Sequence, residues 1–491
     1  MSSNFKRWLV LAVVSSALFL IVIDMTVLYT ALPILTAELQ ASASQKLWII
    51  NAYPLVVSGL LLGCGTLGDK LGHKQMFVGG LVVFGAASLG AAYSPSAAYL
   101  IAFRSMLAVG AAMMMPATLS IIRLTFESPK EQSLAIGIWA AVASGGAAFG
   151  PVLGGLLLAR FWWGSVFLIN VPIVLLALAL TLALIPKGET HPDRQWDLTG
   201  SIQIMIGLVA LVFAIKEFGK PAPDVMVALL TLFLGVATLW IFARRQHRMR
   251  QPMIDFAIFR NRTFSTAVVS ALASAAALIG MQLVFSQRLQ LVLGLTPLEA
   301  GLVILPLPLA AFVAGPLAGW LMSRMARSAF LVYALALSGI GMGAYAVWYD
   351  AHAFVQIACL ITIGAGLGAT MTAASSAIMN AAPPEKAGMA ASVEEVSFEL
   401  GGVIGITLMG TLLSTVFTAA FIPADGLMLS ERARESLDDA LAAAKSLPAD
   451  LADPFIAMSR AAFDQAFVVV LVAATLLLLG AAVFAKRYDR P

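Results

Sequence analysis

Fourteen apolar runs divide this chain, each near or above the roughly 20 residues that a helix needs to cross a hydrocarbon core. They cover 8–32, 47–67, 76–93, 97–122, 133–159, 164–185, 199–217 and 224–243, then 264–288, 298–322, 329–349, 353–380, 387–416 and 465–485. Of the 491 residues, 60% are hydrophobic and 11% charged, against about 25% charged in an ordinary soluble domain. A soluble fold of this length has too little interior for that much apolar surface. The expected class is therefore an all-α integral membrane protein, with the bilayer as its solvent.

The net charge of +4 does not point to nucleic acid, because the basic residues sit in short loops between apolar runs instead of one patch. Their placement carries orientation. If the N-terminus is cytoplasmic, 20 of the 30 Lys and Arg residues fall on that side, including Arg244, Arg245, Arg248, Arg250, Arg260 and Arg262 in one loop. Lys and Arg mark the cytoplasmic side in short loops, so both termini are expected inside. Lys6 and Arg7 before the first run, with no small-residue cleavage site after it, read as a retained first span. Cys64 and Cys359 lie within apolar runs, and His73, His191, His247 and His352 are scattered over loops. Neither a disulfide framework nor a metal site is implied.

Two segments look soluble. The basic loop from Arg244 to Arg262 would lie beside anionic headgroups as an interfacial linker. The stretch at about 421–464 reads as an external hairpin, helical from Glu431 to Leu447 with Leu437, Leu441 and Ala444 on one face. The expected organisation is a unit over 1–185, two further spans and the basic linker over 186–262, and a unit over 263–491.

Charges inside the runs are the main functional signal. Asp24 sits midway along the first span, where a charge costs about 3 kcal/mol even on the lenient insertion scale, so it should face a cavity or a partner. Glu394, Glu395 and Glu399 lie in the thirteenth span. Glu395 and Glu399 share a helix face, and Glu394 sits about 100° round from Glu395. Arg104 reads as the only basic residue deep in a span, and a buried guanidinium must be paired or line water. An acid removed from water can hold a proton or yield it to an arriving cation, so cation and proton compete for one negative site. The bland alternative is silent pairing of these acids with helix-end amides or with Arg104.

Glycine supplies the next pattern. Gly146, Gly150, Pro151, Gly154 and Gly155 in GGAAFGPVLGG allow close helix packing and a bend at one place. Gly65, Gly68, Asp69, Lys70, Gly72, His73 and Lys74 in GTLGDKLGHK form a short charged turn between the second and third spans. An acid there can cap a neighbouring helix N-terminus.

Together and in this order the pieces resemble the major facilitator superfamily. GTLGDKLGHK looks like its signature between spans two and three, Arg104 with Gly110 matches its span-four pattern, and the run from Gly146 to Gly155 is similar to its antiporter motif. The acidic first-span motif ending in Ala31, Leu32 and Pro33, and the stretch ending at Asn170, Val171 and Pro172, resemble the fourteen-span drug:proton antiporters, which include quaternary ammonium pumps. The resemblance covers essentially the whole chain. It departs at His73, where the loop usually has arginine, and at Val109, where span four often has glutamine. Ala310 and Ala311 also stand in a region where relatives that export divalent cations carry an additional acid.

What the resemblance implies is a major facilitator fold of two six-helix bundles plus two additional transmembrane helices, with a cavity near the midplane. Asp24, Glu394, Glu395 and Arg104 would couple protons and bind cations, with Glu399 as an additional acid. Gly65, Asp69 and Gly72 would form a cytoplasmic gate. The implied activity is efflux of lipophilic cations (quaternary ammonium antiseptics, methyl viologen, ethidium-like and acriflavine-like dyes) by alternating access. A monomer in the bacterial inner membrane is expected, contacting lipids and no nucleic acid, and driven by the proton gradient without a cofactor. Tyr29, Trp48, Tyr53, Trp139, Met113 and Met114 could favour planar cations, though each is more often packing. Two other classes compete. An uptake symporter on the same scaffold is disfavoured by the antiporter-like motif, and a membrane-embedded enzyme by the lack of an intramembrane His or nucleophile cluster.

Overall fold

Each apolar run satisfies its own backbone as helix, so that no N–H or C=O faces lipid unpaired. The computed structural model describes residues 3–41, 43–186, 196–218, 223–249, 252, 254–322, 324, 327–421, 436–445 and 447–488, with no strand among them. The first half comprises α1 (Ser3–Glu38), α2 (Ala43–Leu71), α3 (His73–Ala92), α4 (Ala97–Thr125), α5 (Pro129–Leu158), α6 (Ser165–Leu168) and α7 (Asn170–Leu184). Then come α8 (Leu198–Phe218) and α9 (Val225–Gln246). The second half comprises α10 (Arg262–Gln287), α11 (Pro297–Ile304), α12 (Pro306–Leu321), α13 (Arg327–Val347), α14 (Ala353–Ala381), α15 (Ala387–Ala420), α16 (Leu437–Ala444) and α17 (Ala449–Tyr488).

Among the described residues thirteen helical segments are long and apolar enough to cross a bilayer, and the two arms of α5 make a fourteenth. Those arms, Pro129–Ala147 and Val152–Leu158, meet at 42°. The bend falls on Gly150 and Pro151, where proline has no N–H for the carbonyl four residues back and its ring crowds that carbonyl.

Within the first half α1 packs on α4, α5 and α7, and α4 also packs on α2 and α3. Within the second, α10 packs on α14, α15 and α17, and α13 on α14 and α17. The halves meet where α5 crosses α12 and α14, and where α2 and α4 cross α15. These crossings depend on missing side chains: a Cβ on Gly137 of α5 would lie 2.8 Å from the carbonyl carbon of Gly315 on α12. Gly319 abuts the Ser133 carbonyl in the same way. Small residues that bring backbones together are how helices associate in lipid, where apolar burial gives little drive.

The pair α8–α9 lies against α2 and α15. Asp197 accepts from Arg245 Nη1 at 2.9 Å and from Gln246 Nε2 at 2.8 Å, tying the pair at one end. Trp196 Nε1 donates to the Gly63 carbonyl of α2 at 3.2 Å. The outer side of α9 is lipid-facing, with Phe233 74% exposed.

Two expectations need correction. The segment expected as an external hairpin is a short helix, α16, followed by an extension of α17 that begins at Ala449. Leu437 and Ala444 are buried as the amphipathic pattern requires, as is Phe455 on the extension. Residues 431–435, like His191, lie outside the described residues. Arg104 is also not the only basic residue buried in a span. A π-helical turn at Arg288–Val292 prolongs α10 and keeps Arg288 buried. Its Nε donates to Asp464 Oδ1 of α17 at 2.7 Å, and the guanidinium lies over Tyr349 and Phe467. The α17 extension supplies the partners that a plain hairpin would have lacked.

Gly137→Leu tests the backbone crossing. Overpacking of this kind costs about 1–3 kcal/mol, so the variant is expected to melt several degrees lower in detergent, while Gly155→Leu, which faces open space, is expected to melt with the wild type.

Candidate functional site

Asp24 is 2% exposed. The carboxylate receives two donors: Arg104 Nη1 lies 3.5 Å from Oδ2, and Asn170 Nδ2 donates to Oδ1 at 3.2 Å. Arg104 is fixed independently, since its Nε donates to the Ile49 carbonyl at 2.7 Å and its Cζ stands 5.2 Å from the Tyr53 ring centroid. Asn170 reaches Ser88 Oγ at 3.3 Å with the same nitrogen. Four helices thus converge on one acid: α1 supplies it, α4 the guanidinium, α7 the amide and α2 the carbonyl and the ring. Tyr53 Oη and Asn170 Oδ1 are buried without a hydrogen-bond partner, so the cluster keeps polar capacity for an incoming group.

The sequence reading quoted Asn170 only as a family mark and missed it as the second ligand of Asp24. The signal available was the single amide at the head of an otherwise apolar span.

The α15 acids divide. Glu394 is fully buried and accepts from Ser375 Oγ of α14 through Oε1, while its Oε2 has no partner. Glu395 is 5% exposed and its Oε1 also lacks a partner. Both stand about 11 Å along the helix from its N-terminus, at 1.5 Å per residue, and Glu399 about 18 Å along. Tyr53 feels the charges of Asp24, Arg104 and Glu399 together, which brings Glu399 to the first-half cluster. The structure draws no hydrogen bond between Asp24 and Glu394 or Glu395: they form two stations, with Glu399 and Tyr53 between. Ser375 was another miss, one serine within a run of small residues on α14.

Asp69 behaves as its loop predicted. It sits in the last turn of α2, 3% exposed, and its oxygens accept from the Gly388 and Met389 N–H groups at 2.8 and 3.3 Å. These are orphan amides of the first turn of α15, where an anion is favoured. His73 Nε2 lies 3.5 Å from the same carboxylate. Gly65 must be glycine, since a Cβ there would strike Ser392 Oγ and the Gly388 carbonyl. Gly72 caps α3 at φ 99°, a conformation costly for any side chain. Arg123 Nη2 to the Ala382 carbonyl and Lys386 Nζ to Asp255 Oδ2, both 2.7 Å, add to the closure. Lys386 holds the Asp255 carboxyl below its ordinary value near 3.8. A depressed acid stabilises above its unfolded value and loses that contribution only as pH falls through the folded one. Asp255 therefore stays charged through the neutral range and gives the latch no pH dependence there.

The glycines of the fifth span press α5 onto α1 beside Asp24. Gly150 abuts Thr26, and Gly146 abuts Val22 and Phe19. Gly154 is buried and Gly155 exposed with open space before it; the side chain of Pro151 lies outside the described residues. Of the aromatic and thioether candidates, Trp139 is buried and bonds Thr118 Oγ1, Met114 is core, Met113 packs against it, and Trp48 is 46% exposed. Only Tyr53 stands at the charges; the side chain of Tyr29 lies outside the described residues. No group of three His, Cys, Asp or Glu side chains gathers as metal ligands among the described residues.

A membrane bundle of two halves latched by Asp69, with paired charges in the spans, has the architecture of a secondary transporter. The chain belongs to the major facilitator superfamily, whose family model matches residues 14–406, and it is a transporter and not an enzyme. It is 40% identical over 487 residues, 97% of each chain, to the methyl viologen resistance protein SmvA of Salmonella typhimurium. It is 35% identical to the multidrug efflux pump LfrA of Mycolicibacterium smegmatis, over 97% of this chain and 95% of that one. Two solved structures share the fold: the human organic anion transporter MFSD10 (TETRAN) at TM-score 0.63 and 14% identity, covering 96% of this chain and 99% of that one. The proton:xylose symporter XylE follows at 0.62 and 11%, covering 99% and 97%.

Asp24→Ala would leave Arg104 buried without its carboxylate. Breaking a buried pair from one side costs about 3–5 kcal/mol, whereas replacing both partners by apolar groups is often neutral. Thermal unfolding in detergent is expected to show a large loss for Asp24→Ala and recovery in the double variant Asp24→Ala, Arg104→Met.

Proposed function

We propose that the chain expels lipophilic cations from the bacterial cytoplasm in exchange for protons, as a monomer of the inner membrane with both termini inside. Drug efflux on this scaffold is supported by the names of the relatives. The exchange reading rests on one observation: carboxyl oxygens of Glu394 and Glu395 are buried without donors while Asp24 stands beside Arg104. A carboxyl oxygen so placed is satisfied by a proton or by a cation, and binding one excludes the other.

In the proposed cycle the Asp69 end, taken as cytoplasmic, opens when Asp69 releases the α15 amides. A lipophilic cation then enters, meets the α15 acids and displaces a proton. The latch closes, the cation passes towards Glu399, Tyr53 and Asp24, and protonation from outside expels it. Arg104, held by Ile49, sets how strongly Asp24 attracts either partner. Quaternary ammonium antiseptics, methyl viologen, ethidium and acriflavine-like dyes are the substrate class, since they join apolar surface to a charge that cannot be neutralised.

Ethidium efflux from energised cells tests this directly. Wild-type efflux is expected to collapse with a protonophore, and Asp24→Asn and Glu395→Gln are expected to fall to the level of empty membranes while reaching the membrane in normal amount. If ethidium and quaternary ammonium compounds move no faster than in empty membranes, the exporter reading fails and uptake on the same scaffold takes its place.

A further inference from the structure

A cavity of about 460 Å³ opens beside the Asp69 latch, and neither proton exchange nor cation binding uses it. It lies among the start of α1, the start of α3, the end of α4 and the residues after α7. Its polar lining is Lys6, Arg7, His73 and Lys74 with the acids Asp69 and Glu385, and its walls are aliphatic. The acids do not cancel the bases. Asp69 is committed to the α15 amides, so the cations outnumber the charge left to oppose them.

The cations are held in place. Lys74 Nζ donates to the Leu182 and Ile185 carbonyls, which fixes it at the lip where α7 ends. Arg7 Nη1 lies 3.2 Å from Glu131 Oε2. Trp8, on the same turn as Lys6 and Arg7, is part-exposed and meets Phe126 edge-on. A half-exposed tryptophan beside lysine and arginine at a helix end marks the headgroup level of a bilayer. The opposite wall, with Ile121, Leu124 and Leu184, faces the depth of the acyl chains. The volume is roughly fifteen times the ~30 Å³ that a water occupies in the liquid, enough for a phosphate with its glycerol and the first carbons of a chain.

We propose that this cavity binds one anionic phospholipid, its phosphate held by Lys6, Arg7 and Lys74 and its first acyl carbons lying along Ile121, Leu124 and Leu184. The shared chemistry is a phosphate oxyanion, and the aliphatic wall selects a lipid over free phosphate. Basic pockets between transmembrane helices take such headgroups because the anion neutralises clustered charge at low dielectric.

Native mass spectrometry of the purified full chain, titrated with phosphatidylglycerol, phosphatidylcholine or inorganic phosphate, tests the site. One phosphatidylglycerol is expected to bind at least about tenfold tighter than phosphatidylcholine, a margin in keeping with several basic residues acting on one anionic headgroup. Lys6→Gln with Lys74→Gln is expected to abolish that preference, and Lys6→Arg with Lys74→Arg to retain it. Should the double glutamine variant fail to fold, Lys6→Gln alone, at an exposed position, is expected to weaken the preference severalfold. Equal binding of the two lipids, an unchanged preference in the glutamine variants, or displacement of the lipid by millimolar inorganic phosphate would each overturn the proposal.

Discussion

The structure depends on a constraint that water never imposes: a charge placed in lipid must find its partner within the protein. Arg104 has permanent charge and is 2% exposed, so the helices around it are not free to choose their neighbours. Its contacts to Asp24, Ile49 and Tyr53 fix α4 against α1 and α2, and Asn170 brings α7 to the same point. Arg288 does the same in the second half, binding α10 to the extended α17. Apolar packing supplies contact area without direction in a bilayer, since lipid tails are as apolar as leucine. The ion pairs and amides therefore carry much of the specificity that decides which helix stands beside which.

The contacts between the halves have a different character. Glycines bring backbones together at α5–α12 and α2–α15, and the polar ties there are one carboxylate on two amides, one arginine on a carbonyl and a half-exposed ion pair. Such contacts can be exchanged for water at modest cost, whereas Arg104 cannot be uncovered so easily. The stable interactions lie within each half and the replaceable ones between them, which is the distribution that rocking of two bodies about a fixed site requires.

Much of this was legible in the sequence, and the reason is physical. Lipid forces each spanning run to be helical and about twenty residues long, so all fourteen spans could be read from hydropathy. A buried charge is conspicuous against 60% hydrophobic composition, so Asp24, Arg104 and the three glutamates stood out before any fold was known. Asp69 was readable as a helix-capping acid because its loop is short and charged. What escaped were neutral partners. Asn170 and Ser375 are small polar residues in spans that tolerate many such residues, and only three-dimensional proximity distinguishes them from Thr181 or Ser376. Arg288 escaped because a π-turn moved the end of α10 by several residues, and hydropathy is blind to a local change of helical period.

The separation of the acids along the membrane normal bears on how coupling works. A single carboxylate shared by proton and cation would need no second station. Here Asp24 is paired with a guanidinium while Glu394 and Glu395 have oxygens without donors, so the two stations differ in what they accept. The unpaired glutamates gain most from an arriving positive group, and Asp24 already has one. A cation passing from the glutamates towards Asp24 would therefore meet a site partly neutralised by Arg104, which attracts it less and so favours its release. Glu399 and Tyr53 stand between, one able to attract the cation and the other able to donate to either acid. The asymmetry comes from Arg104 alone, and its position is set by a backbone carbonyl that no substitution on α2 can remove.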